Sequence, residues 1–387
     1  MALRPSLGFA IFTASAALAC LASSCSAAGE TDASGTEEDD GGGSSGSSGS
    51  SGKSSSSGGT EEDAEPTPEE DAAPDAEASK VSVLVSGQSS PRGVAADADY
   101  VYFASITGNA IYRVAVTGGA ATRVDSGGTV SKPWVHAVDD THVYFANLGS
   151  KTVSRVPKAG GAAELLVEDV DVWSLVIDAT TVYFTVSPLG GKGAVEKVAK
   201  SCSAPCTATI VVPEQEGPMG LATDGSFLYW ANRSQKVTYA YPGGPVSSRE
   251  YEGTLRKWSV SSTTTDPAAT TLLAGLRDPA GAAVGGGFAF VGTTEDETVR
   301  AISIGSPSEV LLAQKVGSPL WMAADETHVY WLSGGAGAKS VLYRSPKDKK
   351  GLEALAINQV GPIGITMTAD AVYWANSTAG EIMRFTK

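Results

Sequence analysis

The chain has 387 residues, 42% of them hydrophobic, with 43 acidic residues against 28 basic ones. That length and apolar content suffice for a sizeable core in one or two domains. The acidic excess sits at one end: residues 1–79 hold 15 acids and 2 bases, which leaves residues 80–387 close to neutral. A nearly neutral folded part without a basic cluster excludes the electrostatic footprint of a nucleic-acid binder, and the low pI says nothing about its partners.

Met1 to Ala19 reads MALRPSLGFAIFTASAALA, one Arg followed by an apolar run rich in small residues. This is the pattern of a secretory signal, too short for a membrane span. Cys20 and Cys25 follow, each behind small residues. The segment resembles a bacterial lipoprotein signal, although neither Cys has a Leu three places before it. Cysteine arithmetic favours acylation of Cys25: Cys20 then leaves with the signal (residues 1–24), and Cys202 and Cys206 remain to pair. The alternatives are acylation at Cys20 and plain secretion. The resemblance implies a cell-envelope location, in the periplasm or at the outer membrane, with the membrane reached only through the lipid.

Residues 25–79 contain GGGSSGSSGSSGKSSSSGG and EPTPEEDAAPDAEA, with no apolar periodicity. Such a segment cannot bury enough apolar surface to fold, and it reads as a disordered acidic tether. By the square-root rule for Gly/Ser chains it spans roughly 40 Å.

From residue 80 onward, turn residues alternate with short β-branched and aromatic runs, an all-β pattern. A phrase recurs: VYFAS at Tyr102, VYFAN at Tyr144, VYFTV at Tyr183, LYWAN at Tyr229, AFVGT at Phe290, VYWLS at Tyr330 and VYWAN at Tyr373. Eleven places before each anchor stands Pro91, Pro133, Val172, Pro218, Pro279, Pro319 or Pro362. Five places before it stands Asp97, Asp139, Asp178, Asp224, Gly285, Asp325 or Thr368. Each unit thus reads Pro, strand, Asp turn, strand. Pro is tolerated where a strand begins, and Asp can accept backbone N–H groups in a tight turn. A third strand follows (AIYRVAV at 110–116 in the first unit), then a fourth (ATRVD at 121–125). The last unit ends at Lys387 without a fourth strand, and Ser82–Val85 supplies one. Seven four-stranded units closed by the N-terminal strand describe a seven-bladed β-propeller over 80–387. Trp230, Trp258, Trp331 and Trp374 fall on second and third strands and read as core.

LYWAN, VYWAN and VYFAN, followed by an apolar-x-Arg strand, resemble the YWTD repeats of lipoprotein-receptor propellers and the related NHL-type and streptogramin-lyase-like propellers. The resemblance covers about 81–387 as repeats. It departs in having Asn, Ser, Thr or Val for the Asp, and seven units for six. It implies the architecture and no particular ligand. The Arg or Lys recurring in the third strand (Arg113, Arg155, Lys197, Lys257, Arg344, Arg384) reads as a structural link to a neighbouring acid or turn carbonyl, the alternative being an anion ring.

Ligand sites in propellers lie at the channel mouth, on the face of the fourth-to-first and second-to-third loops. Two features break the repeat there. Between Asn232 and Leu255 an insert carries Tyr239, Tyr241, Arg249 and Tyr251 around Pro-Gly-Gly-Pro; Tyr and Arg are interface-anchor types, but an extra hairpin on the rim explains them equally. At the starts of the first strands stand Arg92, Trp134, Trp173 and Met219, with Trp321 one place further on. Trp134 and Trp173 offer an aromatic platform for a sugar or peptide, or else they plug the channel. Catalytic residues are few. His142 and His328 share a repeat position behind the Asp turn, and His136 is the histidine expected near the channel. No triad, nucleophile, metal site or phosphate loop is indicated, and no cofactor. Cys202 and Cys206 are expected to form a disulfide. The reading is a monomeric, membrane-anchored, extracytoplasmic propeller that binds a protein, peptide or glycan without catalysis. The alternative is a metal-dependent lyase- or lactonase-like enzyme with its site in the channel.

Overall fold

A computed structural model describes residues 80–387 except 189–191, 204, 240–245, 263–268 and 335–339. The signal, tether and acylation expectations at Cys20 and Cys25 lie outside the described residues. Seven four-stranded antiparallel sheets are present, plus one two-stranded ribbon. The inner strands are Pro91–Ala96, Pro133–Val138, Val172–Ile177, Pro218–Thr223, Pro279–Gly285, Ser318–Ala324 and Pro362–Met367. Each pairs with the second strand of its blade, that with the third, and that with the fourth. In blade seven the fourth strand is Val81–Val85, which pairs antiparallel with Glu381–Thr386 in the register Val81↔Phe385 and Ser82↔Arg384. The ring is therefore closed by the first strand of the domain, which covers what would otherwise be the unpaired outer edge of Glu381–Thr386. The fold is a seven-bladed β-propeller.

Period-two alternation explains the repeated phrase. In VYFAS, Tyr102 and Ala104 pack with Val143 and Phe145 of blade two, while Val101 and Phe103 pack with Tyr373 and Ala375 of blade seven. Successive side chains point to opposite faces of a strand. A blade is covered on both faces, so its second strand must be apolar throughout. The aromatic pair thus serves two interfaces, one ring to each neighbour. Trp230, Trp258, Trp331 and Trp374 are all buried; each such ring stabilises the fold by about 1.5–3 kcal/mol of transfer free energy.

The Asp turn does more than hold its own amides. Asp139 accepts from the amides of Thr141 and His142, both at 2.8 Å. Its other oxygen accepts from the Tyr144 hydroxyl at 2.8 Å and from Lys200 Nζ of the next blade at 2.9 Å. Tyr102, Tyr183, Tyr229 and Tyr330 reach their own blade's Asp in the same way. Blade five has Gly285 for the Asp and Phe290 for the Tyr, and Ala301 stands opposite Phe290 where other blades place Arg or Lys. The three members of the network are missing together, so no buried hydroxyl is left without a partner.

Basic residues of the third strands tie blade to blade. Arg113 Nη1 donates to the Lys158 carbonyl at 2.8 Å, Arg155 Nη1 to the Lys200 carbonyl, and Arg384 Nη1 to the Val116 carbonyl at 3.4 Å. Lysines run back the other way: Lys158 to Asp97, Lys200 to Asp139 and Lys387 to Asp325. Lys347, which faces the blade that lacks the Asp, donates to the Gly286 carbonyl instead. The expected structural link is present for Arg113, Arg155, Arg344 and Arg384, whereas Lys257 lies over the Phe227 ring instead.

One strand is shorter than its sequence suggests. The fourth strand of blade one is only Thr122–Arg123. Asp125, expected at its end, turns its buried carboxylate onto the Ile111 and Gly127 amides. These bonds replace ladder bonds and end the strand. Cys202 and Cys206 form a disulfide in the loop between third and fourth strands of blade three, on the face opposite the mouth.

Asp139→Ala removes five hydrogen bonds, from the Thr141 amide and hydroxyl, the His142 amide, the Tyr144 hydroxyl and Lys200 of the next blade. It is expected to cost about 2–3 kcal/mol in denaturant unfolding. Asp140→Ala, its exposed neighbour, is expected to stay within about 0.5 kcal/mol. Burial alone would raise the Asp139 carboxyl, but hydrogen bonds from Lys200, the two amides and Tyr144 outweigh it and hold the group well below the carboxylate range. Asp325 behaves alike, with Lys387 as its main partner against burial. A lowered folded-state value means that this stability is complete above about pH 4, the unfolded value, and is lost as pH falls below it.

Candidate functional site

All seven inner strands contribute to one cavity of about 380 Å³ on the ring axis. Every inner strand carries a register shift near its start, for example between Arg92 and Val94, Val135 and Ala137, and Val172 and Ser174. Such bulges bend a strand and re-aim side chains. They bring Trp134, His136, Trp173 and Trp321 to the channel. Trp134 and Trp173 occupy matching places in the sequence repeat, but their registers differ. Trp134 pairs opposite Ala146 ahead of its bulge, whereas Trp173 lies inside its own. The two therefore do different things. Trp134 of blade two reaches across the axis to Trp321 of blade six, ring centroids 5.0 Å apart. Trp173 packs partly against the cluster of Met219, Tyr229 and Ala280.

Among the described residues no Asp, Glu, Lys or Arg lines this cavity; the polar contributors are His136, Ser174, Thr223 and Thr366, besides the indoles. The His136 ring stacks near Trp134 at 6.1 Å. Its Nε2 is buried and has no hydrogen-bond partner. Burial without a counter-charge pushes the imidazole down to about 3, so it is neutral at physiological pH. A buried polar atom without a partner is costly, and it is uncommon in a native fold. Among the described residues no group of three or more His, Cys, Asp or Glu could hold a metal ion.

The other sequence-flagged residues are distributed around this cavity. Arg92 sits at the mouth, its guanidinium carbon 5.7 Å from the Trp134 ring centroid. Met219 is only 4% exposed and supports the wall from behind. The insert of blade four forms an antiparallel ribbon, Gln235–Tyr239 with Val246–Tyr251, in the register Gln235↔Tyr251 and Lys236↔Glu250. Tyr241 and the side chains of Tyr239 and Arg249 lie outside the described ones. The ribbon base is pinned to the loop entering blade five: Arg233 embraces the Asp278 carboxylate through Nε and Nη2, and Arg277 lies over the Tyr251 ring at 4.8 Å. Sequence reading missed Arg233 and Arg277. No repeat position marks them, since both belong to loops that are unique to this corner. It also missed the contact between Trp134 and Trp321, because no sequence spacing encodes a reach across a ring.

No protein-family model matches the chain, and no curated protein matches it. Solved structures are similar to it. Selenomethionine-substituted virginiamycin B lyase from Staphylococcus aureus is 14% identical, with a TM-score of 0.57 over 79% of this chain and 98% of that one. A catalytically inactive variant of that lyase with quinupristin is 14% identical, with a TM-score of 0.57 over 80% and 99%. A streptogramin B lyase structure is 14% identical, with a TM-score of 0.56 over 79% and 96%. At such identity the likeness is one of fold. The chain is a seven-bladed β-propeller similar in fold to the streptogramin B lyases.

Proposed function

We propose that this propeller is a non-catalytic binding module, held outside the cytoplasm by a lipid on Cys25 and the acidic tether, which takes a peptide or glycan element at its channel mouth. One observation carries the reading. The axial cavity combines aromatic walls from three blades with a buried, unpartnered imidazole nitrogen. Apolar walls with a few convergent polar groups are the usual make-up of a ligand pocket. The ribbon of blade four belongs to a connection between second and third strands, on the face where the inner strands begin, and in this reading it adds contact area beside the mouth.

The reading is tested by probing the purified protein on peptide and glycan arrays. Trp173→Ala, which removes part of the wall, is expected to weaken the captured ligand at least tenfold; aromatic truncations at a binding centre cost on the order of 2 kcal/mol or more. Excising 236–250 leaves the Asn232↔Thr254 pairing of the parent blade in place and is expected to weaken binding while the melting temperature holds. Binding that ignores both changes would sink the proposal.

A second reading, a metal-dependent lyase- or lactonase-like enzyme, draws on His136 being placed in the channel. It requires a base with a partnered acid, and among the described residues no carboxylate lines the cavity. A stoichiometric divalent metal in the purified protein, with activity lost in His136→Ala, would support this reading over the first.

A further inference from the structure

Arg92 differs from the other basic residues that shape the fold. Arg123, Arg155, Arg233, Arg300 and Arg344 each hold a carboxylate, and Arg113 and Arg384 donate to carbonyls. The Arg92 guanidinium is half-buried at the mouth. Its Nε is shielded from solvent and has no hydrogen-bond partner. Among the described residues no carboxylate forms an ion pair with it, and burial without a counter-charge lowers its pKa. A partly desolvated cation with no partner is unfavourable in a finished fold. The guanidinium lies over the ring of Trp134, which is in turn packed on Trp321. Among the described residues none that lines the cavity below is an Asp, Glu, Lys or Arg.

These features specify different parts of one ligand. A planar guanidinium with free donors matches a carboxylate, which it can hold through two parallel hydrogen bonds. The indole-lined, uncharged cavity matches an aromatic or apolar body. We infer that the mouth takes an aromatic carboxylate, with its carboxylate on Arg92 and its apolar body in the cavity walled by Trp134 and Trp321. This inference rests on the binding reading above and narrows its ligand class. The carboxylate belongs either to a small free acid or to the C-terminus of a peptide ending in an aromatic residue, and the chemistry is the same for both.

The test is calorimetric titration of the full chain with phenylacetate and with its neutral analogue phenylacetamide. The wild-type protein is compared with Arg92→Met, which keeps the stem over Trp134 and removes the charge. The acid is expected to bind at least tenfold tighter than the amide to the wild type. That preference is expected to shrink as salt rises from 0.05 to 0.5 M and to vanish in Arg92→Met, whose affinity for the amide is expected to fall far less than its affinity for the acid. N-acetyl-Gly-Gly-Phe with a free and with an amidated C-terminus separates the sources. Preference for the free terminus assigns a peptide end, and its exclusion beside tight phenylacetate binding assigns a free acid. Equal binding of phenylacetate and phenylacetamide to the wild type overturns the role of Arg92 and leaves the binding reading standing. An acid preference that survives in Arg92→Met also overturns it. Binding of neither probe removes both.

Discussion

Replacing His136 with Phe is expected to abolish a stability loss that the wild-type protein suffers between pH 6.5 and pH 5. The folded imidazole titrates at about 3 because burial disfavours its charged form, while in the unfolded chain it titrates near 6.5. The sign follows from linkage. The unfolded state takes up the proton first, so this stability is complete above pH 6.5 and is lost as pH falls toward 3. At pH 5 the loss amounts to about 2 kcal/mol. Among the described residues no Asp, Glu, Lys or Arg lines the cavity that the ring faces, so none of them offsets the burial. Phe fills similar space and carries no polar atom. At pH 7 the variant is expected to match or exceed the wild type, because the unpartnered Nε2 is gone. The separate acid limb below about pH 4, carried by Asp97, Asp139 and Asp325, is expected to persist in the variant. Urea unfolding at pH 7, 6, 5 and 4 measures both limbs. A variant less stable than wild type at pH 7 would show that His136 has a structural partner, and its functional interest would fall with that.

Gly364→Val is expected to destabilise the protein by about 3 kcal/mol or more. Gly364 has φ +68°, in the left-handed region that a β-branched residue strongly disfavours. A Cβ there would stand 2.9 Å from the Gly93 Cα. Gly93 itself has φ +62°. These two glycines lie where the inner strand of blade seven meets that of blade one, so backbone faces backbone and no flexible side chain can yield. Strain and overpacking each cost on the order of 1–3 kcal/mol, and here they add. Gly119→Ala provides the comparison. It has φ +126° but nothing within 4 Å of its Cβ, and its cost is expected to be about 1 kcal/mol from conformation alone. Equal losses at the two positions would mean that the ring does not close as tightly as blades seven and one indicate.

The repeat was legible because every blade meets the same packing problem. Val and Phe serve one neighbour and Tyr and Ala the other, so the phrase returns about every 40 residues. Strand ends followed from Pro and Asp at fixed offsets from the Tyr. The reason for the five-residue offset was not legible until the Tyr hydroxyl was seen on the Asp carboxylate. The joint loss of Asp, Tyr and Arg in blade five, as Gly285, Phe290 and Ala301, is the sequence signal that could have shown it. The mouth was legible only as a set of unusual residues. Arg92, Trp134 and Trp321 gain meaning from bulges and from a contact across the axis, which depend on ring geometry and not on spacing along the chain. Met219 looked like its neighbours in the alignment of units, yet it packs into a wall because the register of its strand shifts around it.

The most direct test of a ligand site at the channel mouth is histidine-selective 15N NMR. The chain has three histidines, and His142 and His328 stand by the Asp turns on the opposite face. The His136 ring is expected to remain neutral at pH 5, and its signals to move on saturation with phenylacetate or phenylacetamide while those of His142 and His328 stay in place. A His136 that titrates near 6.5 and ignores both probes would contradict the account.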